Sequence, residues 1–409
     1  MPTHARAIAI FLLAIACVTT PAHAGGLAVL GEKVHTQAGP PVANGVVLIE
    51  GGRIVAVGPQ SEIKVPEGWG TLTAAVVTPG LVDAHSTVGL AGLLNVAKGD
   101  KDELDKTEAI QPGLRAIDAF NARDPLVAWV RGFGVTTVHV APAAGSIIPG
   151  QTMVVKTAGK GADADVLLPV AMVAAALGEG VYDTAPKAPT TRSKTAAMFR
   201  AELIKAREYS EKRAKEDDKK PAFSLNHEVL AAVLRGEVPL MVTANRHHDI
   251  LTALRLREEF GFKLILDSAA EAPAVLDEIK AAGVPVIVHP TMARPGGERE
   301  NVSMETAAKL HAAGIPIALQ SGYEGYVPRT RVVLFEAAIA AARGLGQEAA
   351  LSAITIDAAR LIGVADRVGS LEQGKDADLA LYDGDPFEYA THCTSVVIGG
   401  EVFPGEPRE

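Results

Sequence analysis

Apolar and polar positions along the chain fall into two rhythms. At each end the rhythm is that of strands. Residues 44–58, Asn-Gly-Val-Val-Leu-Ile-Glu-Gly-Gly-Arg-Ile-Val-Ala-Val-Gly, are two β-rich runs around Gly51-Gly52, a hairpin signal. Residues 377–382 and 395–403 repeat the style, with Gly399-Gly400 at the turn. An isolated hairpin is marginal, so hairpins from both chain ends are expected to pack together as one small β-domain. Between them short apolar runs alternate with helical patterns. Strands are expected at 81–84, 136–140, 166–171, 239–243, 263–267, 285–289 and 316–320. Helices are expected at 248–260, 271–282 and 304–313, and Ala-Gly-Val-Pro at 282–285 and Ala-Gly-Ile-Pro at 313–316 mark helix-to-strand turns. Repeated βα units imply an α/β protein with a parallel sheet and helices outside. About 290 residues of this pattern suit a closed (β/α)8 TIM-like barrel. The runner-up, an open doubly wound sheet, lacks a Gly-rich phosphate fingerprint after an early strand. The most charged stretch, 187–221, reads as a solvated helix from 192 to about 215, followed by the loop 217–221.

Composition agrees with a folded chain. Of 409 residues 48% are apolar, and the formal net charge is −9. That balance gives no broad basic surface for nucleic acid. The first 24 residues differ from the rest. Arg6, an apolar run at 7–18 and the small-x-small site Ala22-His23-Ala24 read as a secretory signal peptide. The mature chain then begins near Gly25 and is periplasmic or secreted. The apolar run is short for a bilayer span. An N-terminal membrane anchor and a lipoprotein through Cys17 are the alternatives, although Ala14-Ile15-Ala16 is a poor lipidation box. No other stretch suits a membrane span. Cys17 and Cys393 are the only cysteines, so removal of the leader leaves no second cysteine in the chain for a disulfide. The expected organisation is a leader at 1–24, the N-terminal part of the sandwich at 25–78, the barrel at 79–368, and the C-terminal part of the sandwich at 369–409.

The chemistry begins at 77–90, Val-Thr-Pro-Gly-Leu-Val-Asp-Ala-His-Ser-Thr-Val-Gly-Leu. A strand end delivers His85. A second histidine two residues on would share its face and start a metal site, but Thr87 stands there. Residues 77–85 resemble the first barrel strand of the amidohydrolase superfamily. So do the C-terminal run 368–379, Val-Gly-Ser-Leu-Glu-Gln-Gly-Lys-Asp-Ala-Asp-Leu, and Asp383-Gly-Asp-Pro. The likeness is closest to the imidazolonepropionase-like branch, through Gly150-Gln-Thr-Met-Val-Val-Lys156, Ala176-Leu-Gly-Glu179 and Asp249-Ile-Leu-Thr-Ala-Leu-Arg255. The resemblance covers nearly the whole mature chain. It implies a barrel with a composite β-sandwich, and one or two divalent metals at the barrel mouth. Such metals activate water for attack on a non-peptide C–N bond, as in cyclic amides. Carried over residue by residue, the ligand positions fall at His85, Thr87, Thr243, Ser268 and Gly322. Four of these five are unsuitable, since neutral hydroxyls are weak ligands and glycine has no side chain. Glu179 or Lys156 offers the bridging group of some relatives, but neither alone holds a metal.

His139 and His289, with His85 and Glu179, would form a rebuilt metal site if they converged; the alternative is ordinary packing. His247-His248-Asp249 reads as a helix start rather than a cluster. Arg246, Gln320 and Tyr323 are candidates to line a substrate pocket, Arg246 through its planar fork toward a carboxylate. No Gly-x-Ser-x-Gly elbow is present, and Ser268 has no base that can be named. No catalytic residue is assigned. Two functions remain open. The first is an exported, weakly active or non-catalytic family member needing no cofactor, which binds a small ligand or completes a complex with an active relative or with itself. The second is a working hydrolase that uses zinc or another divalent metal at the rebuilt site.

Overall fold

The computed structural model describes residues 25–93, 101–215, 220–323 and 329–405. The expected leader and most of the loop 217–221 lie outside the described residues. Seven strands from both chain ends form one sheet. Its order is Glu401–Pro404, Cys393–Ile398, Leu379–Tyr382, Gly70–Pro79, Leu27–Val34, Val42–Glu50, Arg53–Pro59. Both expected hairpins are present. Their turns use Gly51, Gly52, Gly399 and Gly400, all at positive φ, where a side chain would be strained. The two turns also abut, since a Cβ on Gly52 would sit 2.8 Å from Gly399 O.

The middle of the chain forms two further sheets. In one, Ile317–Leu319, Val286–Val288, Leu264–Ser268, Leu240–Ala244 and Val173–Ala176 run parallel, and Gly150–Gln151 joins antiparallel at the edge. In the other, Leu81–Ser86 and Val135–Val140 are parallel, followed by Met153–Lys156 and Val166–Leu168. Hydrogen bonds join the two sheets at both margins. Gly322 N donates to His85 O at 3.0 Å, and Thr152 N donates to Met172 O at 2.9 Å.

The all-parallel expectation fails at one place. The expected strand 166–171 is instead a short outer strand, Val166–Leu168, paired antiparallel to Met153–Lys156. The third position is held by 150–156, antiparallel to both neighbours. The connection 141–149 explains this, because it is shorter than the dozen or so residues a parallel crossover needs. The helix expected at 271–282 is also trimmed to Leu276–Ala282, after a 3-10 turn at Ala272–Ala274. Val82, Ala84, Val154, Met172, Ala174, Met241, Ile265, Ile287 and Ala318 share one buried cluster, with Ala141 joining just after Val135–Val140. A second cluster fills the space between strands and helices. The central strands are therefore buried on both faces, which is why they read as continuous apolar runs. Among the described residues no helix is long and apolar enough to cross a membrane.

Lys156 is placed far from any bridging role. Its Nζ lies 2.8 Å from Asp376 Oδ2 and 3.0 Å from Asp378 Oδ1, both buried beside the C-terminal strands. Arg367 and Arg53 reach the same Asp376 at 2.7 Å each. Burial raises the pKa of Asp378, with the Lys156 charge pulling against it. Removing one partner of a buried pair leaves an uncompensated charge. Lys156→Met is therefore expected to cost about 3 kcal/mol of stability, measured by urea denaturation. The double variant Lys156→Met, Asp378→Asn should recover part of that loss, and equal losses in both would contradict the pairing.

Candidate functional site

The C-terminal ends of the parallel strands carry a polar layer above the apolar cluster. Thr243 and Asp267 are register partners on adjacent strands. They share a face with Met241 and Ile265 below them, as period-two alternation requires. The opposite strand, Leu81–Ser86, has a register shift between Asp83 and Ser86. Such irregularities re-aim side chains, and here His85 reaches across to the Asp267 strand.

Asp267 is the hub. His85 Nδ1 donates to its Oδ1 at 2.8 Å, Gln320 Nε2 donates to the same oxygen at 2.9 Å, and Thr243 Oγ1 donates to Oδ2 at 2.6 Å. Burial alone would push the Asp267 carboxyl up; the His85 charge and the three donors bring it below the ordinary range. Burial lowers the His85 imidazole, but the Asp267 charge and hydrogen bond outweigh it, and the net shift is upward. Both shifts favour the charged forms, an imidazolium facing a carboxylate. The other ring nitrogen of His85, Nε2, is buried without a partner among the described residues.

Asp83 supports the pair from below. Burial pushes its carboxyl up to about 6, although it accepts from Ser321 N at 2.9 Å and from His85 N at 3.3 Å. Ser268 follows Asp267 in the left-handed region, φ 68°, and donates to Asn245 Oδ1 at 2.7 Å. Gly322 also has φ 68°, and a Cβ there would lie 2.7 Å from Pro290 Cγ. A side chain at this position would need the backbone to move.

A cavity of about 280 Å³ opens over this layer. His85, Thr243, Ser268, Gln320, Gly322 and Tyr323 all line it beside Asp267, so sequence and structure meet at six positions, while Thr87 is buried and does not line it. Tyr323 donates its hydroxyl to the buried Glu103 at 3.1 Å, an oxygen shared with Arg329. A larger open cleft of about 600 Å³ lies on the seven-stranded sheet. Its carboxylate Asp383 is already bonded to His392, and it is remote from the strand-end layer.

Other candidates sit elsewhere. His139 is fully buried within the strands. Its Nδ1 donates to Ala84 O at 2.7 Å and its Nε2 accepts from Thr152 Oγ1 at 2.6 Å. Burial pulls its pKa down to about 4, so it stays neutral. His289 bonds Pro290 O through Nδ1 and leaves Nε2 unpartnered among the described residues. Glu179 is half-exposed and paired with Arg192 at 3.1 Å; Gly180 lines the cavity in its stead. Arg246 does not line the cavity either. Its guanidinium is taken by Glu271 at 2.9 Å, Glu300 at 2.6 Å and Gly297 O at 3.0 Å. His247 opens the helix His247–Phe260 as expected, but Glu271 from a neighbouring loop takes its backbone N–H at 2.8 Å. Sequence reasoning missed Asp267, Asp83, Glu103, Glu298 and Arg299. A lone carboxylate in the apolar run Leu-Ile-Leu-Asp-Ser was the available signal for Asp267.

Comparison with known proteins agrees with this architecture. The amidohydrolase family model matches residues 321–404. A solved structure of an amidohydrolase from Thermotoga maritima superposes with a TM-score of 0.85 and 30% identity, over 92% of this chain and 100% of that one. The chain belongs to the amidohydrolase family. It is 26% identical to an imidazolonepropionase from Rhizorhabdus wittichii, over 84% of this chain and 88% of that protein. It is also 26% identical to the amidohydrolase tasK from Hapsidospora irregularis, over 89% of this chain but only 40% of that protein.

Proteins of this family typically depend on metal, and the donors present here do not fit one. Among the described residues no three His, Cys, Asp or Glu side chains converge to hold an ion. His85 keeps only Nε2 open, Asp267 is taken by His85, Thr243 and Gln320, and their neighbours are a hydroxyl and an amide. Three strong donors are the usual minimum.

The ion pair has a pH signature. Because the folded pKa of His85 lies above 6.5, its contribution to stability is full below that value and is lost as pH rises through the folded pKa. In Asp267→Asn the imidazole should titrate below 6.5, followed by NMR of the ring Cε1–H. The stability gap between the wild type and this variant should narrow as pH rises. A His85 resonance that titrates identically in both proteins would contradict the pairing.

Proposed function

We propose that this chain is an exported amidohydrolase-family protein whose metal centre has been replaced by the His85–Asp267 ion pair. It binds a small molecule at the strand ends, and is weakly active or inactive in metal-dependent C–N hydrolysis. The two central sheets are read as one eight-position barrel, spanning about 79–368, with the seven-stranded sheet as the composite domain from 25–78 and 369–405. The observation that carries the reading is the hydrogen bonding of Asp267, whose oxygens are taken by His85, Gln320 and Thr243. In that state the carboxylate and the imidazole neutralise each other where the family resemblance expects an ion. Gly322 supports it, because the turn there leaves little room for a ligand side chain. Fold alone does not carry function, so the altered site outweighs the intact scaffold. The alternative rebuilt site at His85, Glu179, His139 and His289 draws no support from the geometry, since Glu179 is engaged by Arg192 and both nitrogens of His139 are taken.

Metal content decides between them. The protein purified without chelators, then challenged with zinc and manganese and desalted, is expected to hold far less than one ion per chain by plasma mass spectrometry. One or more tightly held ions per chain would sink the reading. A cyclic-amide hydrolase activity abolished by His85→Ala would do the same.

A further inference from the structure

A separate cavity of about 320 Å³ lies between the helices Arg192–Arg213 and His247–Phe260. Its volume falls within the range of ligand pockets, roughly 300–1,000 Å³. Each helix contributes one face. Arg192, Ala196 and Arg200 stand four apart along the first helix, and His248, Thr252 and Arg255 stand four and three apart along the second. Small residues, Gly178 and Ala196 among them, leave the space, and long cationic side chains border it.

The charges on this wall do not cancel. Three arginines and a histidine line the cavity against one carboxylate, Asp249. Asp249 is buried and already taken, with both oxygens 3.1 Å from Arg192 Nε. Arg192 also bonds Glu179 at 3.1 Å and lies 3.5 Å from Glu298, so it is committed to carboxylates. The other cations are not. Arg200 meets Glu259 through Nε alone, at 2.9 Å, which leaves both terminal nitrogens of its fork unbonded among the described residues. Arg255 bonds only the hydroxyl of Thr252, at 2.7 Å, and has no carboxylate partner among the described residues. His248 reaches Asp249 only at 3.9 Å. In a chain of formal net charge −9, a cavity with this excess of basic groups concentrates anions.

The donors approach from two sides. Arg200 comes from one helix, and Arg255, His248 and Thr252 come from the other. A carboxylate presents two oxygens in one plane and is served by a single fork. A phosphate group presents three acceptor oxygens around a tetrahedron and is matched by donors from both walls. The first turns of both helices also line the cavity, at Arg192 and Ser193 and at His248 and Asp249, so two positive dipole ends reinforce the side chains.

We propose that this cavity is a second ligand site, distinct from the one at the strand ends, and that it takes the phosphate group of a small phosphate monoester on Arg200, Arg255 and His248. The assignment does not depend on whether a metal ion binds near His85.

The test is calorimetric titration of the full chain with glycerol 3-phosphate and with inorganic phosphate, at fixed ionic strength. Acetate and glycerol serve as controls that lack the tetrahedral anion and the charge respectively. At least one phosphate is expected to bind saturably at one per chain, with both controls weaker by about tenfold or more. Arg255→Gln should weaken the phosphate by about tenfold, and Arg255→Lys should restore part of the affinity. Arg255 is exposed and loses only a contact within its own helix, so the ligand-free melting temperature of either variant should match that of the wild type. Ser193→Asp places a carboxylate in the cavity at a helix position that favours one, so it should fold and abolish binding. Arg360→Gln, which changes an exposed arginine outside the cavity, should leave the affinity unchanged. No saturable binding of either phosphate up to about 10 mM, equal binding of acetate, or an affinity unmoved in both Arg255→Gln and Ser193→Asp would each overturn the proposal. A loss in Arg360→Gln as large as that in Arg255→Gln would do so too, because it would mark diffuse attraction rather than a site.

Discussion

A carboxylate with almost no access to water must find its compensation within the protein, and Asp267 sets that demand at the strand ends. Its side chain is 2% exposed. Leaving such a charge unpaired costs more than most single contacts can offset. His85 meets the demand with a charge, and Thr243 and Gln320 with neutral donors. These four residues come from four separate strand ends, so one ion couples distant parts of the chain. The same interaction determines what chemistry is open to the site. An imidazole nitrogen facing a carboxylate at 2.8 Å is not also available to an ion, and only the far nitrogen remains.

The second constraint is the junction with the seven-stranded sheet. Lys156 lies on the strand run that returns antiparallel, and it meets Asp376 and Asp378 from the C-terminal segment. The irregular third position thus supplies the cation that two buried carboxylates need. A buried pair of this kind contributes little net stability over an apolar replacement, but breaking it is costly. Its effect is to tie the C-terminal segment to the middle of the chain.

Much of this was legible in the sequence. Glycine pairs placed both hairpins, because positive φ at consecutive residues admits little else. Alternating apolar runs and Ala-Gly-Val-Pro turns placed most of the parallel strands. The third position was not legible, since 166–171 is as apolar as a buried strand and only the short connection 141–149 argues against a crossover. Within the site, the positions carried over from the family resemblance, His85, Thr243, Ser268 and Gly322, and the pocket candidates Gln320 and Tyr323 all line the cavity, whereas the carried-over Thr87 does not. Asp267 escapes that comparison because the carried-over position falls at Ser268, one residue on, where the chain has already turned into the left-handed region. Arg246 was misjudged for a different reason. Its partners Glu271 and Glu300 lie 25 and 54 residues away, and no local pattern announces a long-range ion pair.

What Arg246 does instead connects the scaffold to the cavity. A guanidinium that grips Gly297 O and Glu300 converts an exposed glycine-rich loop into a defined wall. Gly296 and Gly297 both adopt positive φ, so this loop has little intrinsic stiffness of its own. The rigidity that a binding surface needs is therefore supplied from outside the loop by a side chain that never touches the cavity. The division of labour is physical: one arginine is spent on anchoring, and the next one along the wall, Arg299, is left free. The floor follows the same rule. Asp267 absorbs one face of His85 so that the other faces no protein partner. In both places saturated groups hold an unsaturated one in position.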